Sequence, residues 1–173
     1  MTRRLTGAGE GLPIVVDVEA SGFGRGSYPV EVGLALADAT PHCFLVAPER
    51  GWHHWDPEAE ALHGISREVL EAHGRPVQEV AWRLNALIAG RTVYSDAWGQ
   101  DLSWLARLFE AARMVQGFRV AALRELLEES QLERWEPIRR QVEREMDLRR
   151  HRASGDARIL QETYRRLQTP RAA

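Results

Sequence analysis

The sequence predicts an α/β fold in a single domain: a mixed five-stranded sheet, built as an antiparallel meander followed by βα units and flanked by helices. Three apolar strand patterns come first, at 13–18, 29–37 and 42–47. Strands that follow one another directly pair antiparallel, whereas strands separated by a helix can pair in parallel. The later alternation of helices with short strands therefore adds a parallel half to the meander.

Helix signals begin at Asp56, where a capping residue precedes Pro57, and a second short helix is expected to open at Ser66. Apolar residues then recur at helical spacing, and Gly90 is expected to end the first of the longer helices. The expected helices lie at 76–89, 100–112, 121–129, 137–148 and 155–167, and the expected strands between them lie at 92–95 and 118–120.

Composition limits the class of protein. The chain has 173 residues, 44% of them hydrophobic, which suffices for one globular domain with a core. We expect the domain at 13–168, between flexible tails at 1–12 and 169–173. The start lacks the apolar region of a secretory signal, no apolar run could cross a bilayer, and the one cysteine, Cys43, suits a reducing compartment. A cytoplasmic protein without a membrane partner is expected.

Three simple classes of binding protein are disfavoured. The formal net charge is −2 and all 23 basic residues are arginine, so the chain lacks the overall basicity of a nucleic-acid coat. The histidines and Cys43 match no zinc-ligand spacing. The glycine-rich segment 22–26 follows a strand but lacks the G-x-G-x-x-G spacing and precedes another strand, which argues against a dinucleotide-binding loop.

Two carboxylates end the first predicted strand. Asp17 and Glu19 follow the apolar run 14–16, and residues two apart on a strand point to the same side. Two carboxylates at close range repel unless a cation or a shared proton relieves them. The pair is therefore half of a cation site or an acidic strand end at the surface, and its partners decide between the two.

Acidic residues recur at two later junctions. Asp101 is expected in the first turn of the helix after the 92–95 strand, with Asp96 as a rival that caps this helix. Asp101 is preferred because it directly precedes the apolar stripe. His151 and Asp156 open the last helix and share one site only if His151 lies on the loop side. Alternatively, His151 is an exposed residue among arginines.

The four carboxylates Asp17, Glu19, Asp101 and Asp156 form a set of hard oxygen ligands, which favours Mg²⁺ or Mn²⁺ over zinc. Two such ions can hold a phosphodiester, activate water and stabilise the leaving oxygen. An imidazole can take the proton of the attacking water, and His151 is the candidate for this step.

These segments resemble the DEDDh group of 3′-5′ exonucleases, the DnaQ-like family within the ribonuclease H-like superfamily. Residues 17–22, Asp-Val-Glu-Ala-Ser-Gly, look like the first motif of that family, and residues 101–105 look like the second. Residues 151–157, His-Arg-Ala-Ser-Gly-Asp-Ala, are similar to the third motif, H-x-A-x-x-D-A. The segment Leu-His-Gly-Ile-Ser at 62–66 is also common in these proteins. The resemblance covers about 13–168.

The resemblance implies a role for each matched residue. Asp17 would bridge two Mg²⁺ or Mn²⁺ ions, Glu19 and Asp156 would complete the shell of one ion, and Asp101 would support the other. His151 would be the general base. The residues implied to contact the 3′-terminal nucleotide are Ala20, Ser21, Gly22, Phe23 and His63. The second motif departs from the family pattern, which carries an Asn and a Phe before its Asp, so Asp96 stays open as an alternative to Asp101.

The implied activity is metal-dependent 3′-5′ exonuclease cleavage of single-stranded RNA or DNA with a free 3′ end, releasing nucleoside 5′-monophosphates. The alternative on the same fold is a nucleic-acid-binding or proofreading-type subunit, active only within a replication or repair assembly. The sequence leaves RNA against DNA, and monomer against homodimer, open. Trp82 and Trp104 are expected in the core, whereas Trp52 and Trp55 are candidates for stacking on nucleobases.

Overall fold

One five-stranded sheet forms the centre of the molecule in the computed structural model, which describes residues 11–148 and 151–169. Its strands are β1 (Ile14–Ala20), β2 (Pro29–Ala35), β3 (Pro41–Leu45), β4 (Thr92–Ser95) and β5 (Arg119–Ala122). They lie in the order β3-β2-β1-β4-β5. The pairs β1–β2 and β2–β3 are antiparallel, and β1–β4 and β4–β5 are parallel. This confirms the predicted mixed sheet.

The sheet is flanked by α-helices on both faces. They are α1 (Pro57–His63), α2 (Arg67–His73), α3 (Val77–Ile88), α4 (Trp98–Ala112), α5 (Glu129–Met146) and α6 (Ala153–Gln168). The predicted starts of α1 and α2 are confirmed, since the side chains of Asp56 and Ser66 each accept a hydrogen bond from a first-turn backbone N–H. None of the described helices is both long and apolar enough to span a membrane.

The predictions for the region before α6 are partly wrong. No helix spans 121–129: β5 continues to Ala122 and only a short 3₁₀ turn follows, at Leu123–Leu126. The helix expected at 137–148 begins eight residues earlier, because Glu128 and Gln131 form a capping box that starts it. Pro137 lies inside this helix, where the mostly exposed surface of α5 lets water satisfy the freed carbonyl.

Strand β1 separates two layers of packing. Its even-numbered residues, such as Val16 and Val18, belong to the large core beneath α3 and α4. Val15, on the opposite face, packs with Ala157 and Leu160 of α6. Because side chains alternate along a strand, Asp17 and Glu19 project towards the α6 side. The central strand thus delivers both carboxylates to the layer that holds the third motif.

Gly33 lets α6 begin directly on the sheet. It lies opposite Asp17 in the β1–β2 register. A Cβ atom at Gly33 would lie 2.1 Å from the carbonyl carbon of Ala153 and 2.1 Å from the backbone nitrogen of Ser154. Only a residue without a side chain permits this approach, and the approach brings the first turn of α6 beside Asp17.

Two tryptophan predictions have opposite outcomes. Trp104 is buried, as predicted, with 8% of its surface exposed, but Trp82 is 60% exposed, so the core prediction for it is wrong. Helix α3 turns Val80, Ala81 and Leu84 to the core, and Trp82 lies two residues beyond Val80, on the far side of the helix.

Most of the predicted tails, 1–10 and 170–173, lie outside the described residues.

We predict that Gly33→Ala destabilises the fold by about 2–4 kcal/mol, because the added methyl group meets backbone atoms that cannot rotate away. Urea unfolding of the purified variant measures this change. Gly99→Ala is the matched control: a Cβ there meets nothing within 4 Å among the described residues, and Gly99 lies inside α4. This control should be neutral or gain up to about 1 kcal/mol. Equal stabilities for the two variants would contradict the close-approach argument.

Candidate active site

The site forms where β1 extends beyond its parallel neighbour. The β1–β4 pairing ends at Val15 and Tyr94, and β4 ends at Ser95. Asp17 and Glu19 therefore lie past the carboxyl end of β4, where a crevice opens at the edge of the sheet. On the other side, Glu19 lies opposite Glu31 of β2.

Asp101 enters this crevice from the first turn of α4. Its side chain is buried, with 1% of the residue exposed, and Oδ2 accepts a hydrogen bond of 2.5 Å from the Ser95 hydroxyl. The backbone of Val18 also interacts with this carboxylate. Asp96 is differently placed: its Oδ2 pairs with Nη1 of Arg139 at 3.0 Å. The structure thus places Asp101, and not Asp96, as the buried carboxylate beside Asp17. The ligand role of Asp101 stays a prediction.

The segment 151–156, at the start of α6, completes the cluster. His151 lies on the loop before α6, with φ 56°, and its backbone N–H donates a 3.0 Å hydrogen bond to Oδ2 of Asp156. Glu19, His151 and Asp156 each offer a donor atom within 4.8 Å of the others. This is the loop-side position that the sequence required of His151 if the two residues were to share a site. Arg149 and Arg150, its arginine neighbours, lie outside the described residues.

Burial and mutual repulsion raise the pKa values of three carboxyl groups in the cluster. The pKa of Asp17 is raised well above its ordinary value, first by burial and then by the charges of Asp101, Glu19 and Asp156. Burial, with the charge of Asp156, raises the pKa of Glu19 to about 7. Burial also raises the pKa of Asp101 to about 7. Full ionisation of these carboxylates at neutral pH is therefore disfavoured unless a cation shares the site.

A divalent cation fits this donor set. Carboxylate oxygens are the ligands that Mg²⁺ and Mn²⁺ prefer, and a histidine nitrogen is acceptable to Mn²⁺. Glu19 and Asp156, with His151 beside them, could hold one ion. The charge of Asp101 acts on Asp17, so these two carboxylates could hold a second ion.

Glu31 is a functional residue that the sequence analysis missed. It is completely buried and accepts hydrogen bonds from the Arg152 guanidinium (2.5 Å to Nη2), the Ala153 backbone N–H (2.7 Å) and the Cys43 thiol (3.1 Å). Burial alone would raise the pKa of Glu31, but these hydrogen bonds outweigh it and the pKa is lowered. The available signal was a lone charge in the otherwise apolar strand 29–35.

The Glu31–Arg152 ion pair positions the third motif. Arg152 directly follows His151 in the chain, and Ala153 is the first residue of α6. By binding both Arg152 and the Ala153 N–H, the Glu31 carboxylate fixes the start of this helix over β2. The loop residue His151 is thereby held next to the carboxylates of β1.

The loop after β1 is held by Ser21. Its N–H donates to the Tyr28 carbonyl (2.9 Å) and its carbonyl accepts from the Asp56 N–H (2.8 Å). Its hydroxyl accepts from the Tyr28 N–H (3.1 Å) and lies 3.0 Å from Nδ1 of His54. Ser21 is 1% exposed, so in this structure it shapes the loop. Its predicted contact with substrate stays a prediction.

The other predicted substrate residues differ in exposure. Ala20 and Gly22 are buried, and at Gly22 a Cβ would lie 2.6 Å from that of Asp56. Phe23 is 70% exposed, with its ring centroid 6.0 Å from that of Trp104. Within this set, Phe23 is the side chain that a ligand can reach.

His63 is buried beneath the same loop. It is 2% exposed, and its Nδ1 accepts a 3.0 Å hydrogen bond from the Ile65 N–H. Among the described residues its Nε2 finds no partner with hydrogen-bond geometry, although the Ala20 backbone is near. Burial lowers the pKa of the ring, so the neutral imidazole is favoured.

The two loop tryptophans are not free stacking platforms. Trp52 is 6% exposed and stacks on Tyr28 with ring centroids 4.9 Å apart, so the prediction that it stacks on nucleobases is wrong. Trp55 is partly exposed and its Nε1 donates a 2.6 Å hydrogen bond to Glu60. The loop turns Trp52 inwards because Tyr28 offers it an aromatic partner.

Comparison with known proteins gives no matching family model and no matching curated protein. Solved structures do match. The complex of E. coli exonuclease I with a dA16 oligonucleotide gives a TM-score of 0.70 at 12% identity, covering 94% of this chain and 41% of that chain. A zinc-bound E. coli ExoI–ssDNA complex gives 0.65 at 15% identity, with coverages of 94% and 42%.

A moderately thermophilic exonuclease I from Methylocaldum szegediense gives a TM-score of 0.55 at 15% identity, covering 72% of this chain and 30% of that chain. The present chain thus spans less than half the length of each of these proteins. The shared architecture confirms the predicted ribonuclease H-like fold.

We predict that Glu31 and Arg152 are coupled by about 1–3 kcal/mol in a double-mutant cycle built from Glu31→Gln, Arg152→Gln and the double variant. Chemical denaturation measures each stability. The coupling arises because either single change leaves the other charge without its partner in a largely buried setting. The surface pair Glu162–Arg165, with Arg165 about half exposed, is the control and should couple by less than about 1 kcal/mol. Equal coupling in both cycles would argue against a positioning role for Glu31.

Proposed function

We propose that this protein is a metal-dependent 3′-5′ exonuclease that hydrolyses the last phosphodiester bond of a single-stranded nucleic acid and releases a nucleoside 5′-monophosphate. The observation that carries the proposal is the meeting of Asp17, Glu19, Asp101 and Asp156 with His151 at one end of the sheet. These residues come from three distant segments of the chain. A surface that is acidic by chance gives no reason to bring these side chains together against their mutual repulsion.

The carboxylates would hold two Mg²⁺ or Mn²⁺ ions, with Asp17 shared between them, Glu19 and Asp156 on one ion and Asp101 on the other. Bound there, such ions would polarise the phosphodiester and make water a stronger nucleophile. The His151 ring, within 4.8 Å of Glu19 and Asp156, would accept a proton from the attacking water.

The substrate end of the proposal rests on the loop after β1. Phe23 would pack against the terminal nucleotide, since it is exposed at the mouth of the site. Ala20, Ser21, Gly22 and His63 would shape the surface beneath that nucleotide. The match in fold to an exonuclease I complex with a dA16 oligonucleotide supports a single-stranded nucleic acid as the ligand, and the proposed cleavage requires that this strand have a free 3′ end. RNA and DNA are both included in the proposal.

We predict that Asp17→Asn lowers the rate of 3′-end shortening at least about 100-fold, because the amide cannot supply the charge that two cations require. The assay is shortening of 5′-labelled single-stranded DNA and RNA oligonucleotides with Mg²⁺ or Mn²⁺, compared with a chelator. The variant should remain folded and, without metal, be at least as stable as the wild type, since it removes one repelling charge.

Asp38→Asn serves as the matched control, because Asp38 lies on the turn between β2 and β3, where its side chain caps the Thr40 N–H. This control should keep wild-type activity. Metal-dependent shortening that persists in Asp17→Asn, or no shortening of any oligonucleotide by the wild type, would overturn the proposal.

A further inference from the structure

A cleft of about 330 Å³ lies beside the candidate active site and is not explained by the cluster of carboxylates. One wall is the glycine-rich turn 24–27 and the other is the face of α4 that carries Ser103, Ala106, Arg107 and Glu110. The glycine spacing of this segment argues against a dinucleotide-binding loop, so that function does not explain the segment. We propose that the cleft binds a backbone phosphate of the single strand, upstream of the terminal nucleotide; this inference rests on the proposed exonuclease function.

The turn is rigid and carries an exposed arginine. The Ser27 hydroxyl donates to the Gly24 carbonyl (2.9 Å) and accepts from Nε1 of Trp104 (2.9 Å), which fastens the turn to α4. Gly24 and Gly26 have φ values of 89° and 96°, a backbone conformation that other residues rarely adopt. This conformation presents Arg25 to solvent at the tip of the turn.

Arg107 is a cation held in place without an anion. Its guanidinium carbon lies 5.5 Å from the centroid of the Trp52 ring, and Trp52 is itself fixed by its stack on Tyr28. Nε of Arg107 is buried and has no hydrogen-bond partner among the described residues. No carboxylate among those residues forms an ion pair with this side chain. The same side chain belongs to a residue that lines the cleft. Stacking has therefore already restricted the side chain for an anionic partner.

The lining chemistry favours phosphate. Two arginines and one carboxylate, Glu110, give the walls a formal charge of +1 (2 − 1). A planar guanidinium can donate two parallel hydrogen bonds to phosphate oxygens, and the Ser103 hydroxyl is exposed beside it. The cleft is open and polar, so it suits a sugar–phosphate backbone passing through it better than an enclosed nucleobase.

The position of the cleft sets which phosphate it would bind. Asp101 and Arg107 lie six residues apart on α4, which corresponds to about 9 Å along the helix axis. Phe23 and Trp104, whose rings are 6.0 Å apart, lie on the same side of the molecule. A strand whose 3′ end is at Asp17 can therefore pass over Phe23 and place the phosphate of a preceding nucleotide at Arg107. A dinucleotide without a 5′-phosphate contains only the scissile phosphate, so it has no phosphate to place at Arg107.

The test compares Arg107→Gln and Arg25→Gln with Arg113→Gln, an exposed arginine at the end of α4 that does not line the cleft. Affinity for a fluorescent twelve-nucleotide strand is measured by anisotropy over a series of salt concentrations, in the Asp17→Asn background so that the strand stays intact. Each cleft variant should weaken binding about tenfold at low salt. Each should also reduce the slope of log affinity against log salt by about 0.7, the value for one lost phosphate contact on a single strand.

Cleavage by the otherwise wild-type enzyme distinguishes the outcomes. The cleft variants should raise KM for the twelve-nucleotide strand and leave dinucleotide cleavage unchanged. Equal salt slopes for Arg107→Gln, Arg25→Gln and Arg113→Gln, or an equal loss on both substrate lengths, would overturn the phosphate site while leaving the exonuclease intact. If the wild type cleaves nothing, the proposed function fails instead, and the binding data alone judge the cleft. Arg25→Gln changes an exposed turn residue, so it remains informative if Arg107→Gln unfolds.

Discussion

Electrostatic repulsion among the carboxylates gathered at the end of β1, of which Asp101 is buried and the others are partly exposed, is the interaction that the surrounding contacts must counter. Asp17 lies at the centre of the sheet, and the charges of Asp101, Glu19 and Asp156 all act on it. The Ser95 hydroxyl and the Val18 backbone partly offset this repulsion at Asp101. Burial nevertheless raises the pKa values of Asp17, Glu19 and Asp101, so the folded protein favours either protonation of this cluster or a bound cation.

Several contacts outside the cluster hold this unfavourable arrangement in place. The close approach at Gly33 brings the start of α6 over β2, and the Glu31–Arg152 pair fixes that start. Ser21 fastens the loop after β1 to the segment before α1. Each contact joins residues far apart in the chain, so the geometry of the site is set by the whole fold.

Local signals made much of the fold predictable from the sequence. Asp56 and Ser66 predict the starts of α1 and α2 because their side chains cap the first turn of each helix. The carboxylates of β1 are recognisable because they follow an apolar run. The start of α5 was missed because its cap is a Glu–Gln pair and because Pro137 resembles a helix start. Glu31 was missed for a different reason: its partner Arg152 lies 121 residues away, and no local pattern reports a tertiary ion pair.

We infer that the carboxylate cluster is a cation site and that metal binding displaces its protons. Calorimetric titration of the metal-free protein with Mn²⁺, in buffers of different ionisation enthalpy, measures both binding and proton release. Because the pKa values of Glu19 and Asp101 are raised to about 7, binding at pH 6.5 should release about one proton or more, and the release should decrease as the pH rises and these two groups ionise before the metal binds. Asp17→Asn should bind Mn²⁺ much more weakly. No binding by the wild type, or binding without proton release at pH 6.5, would contradict the account.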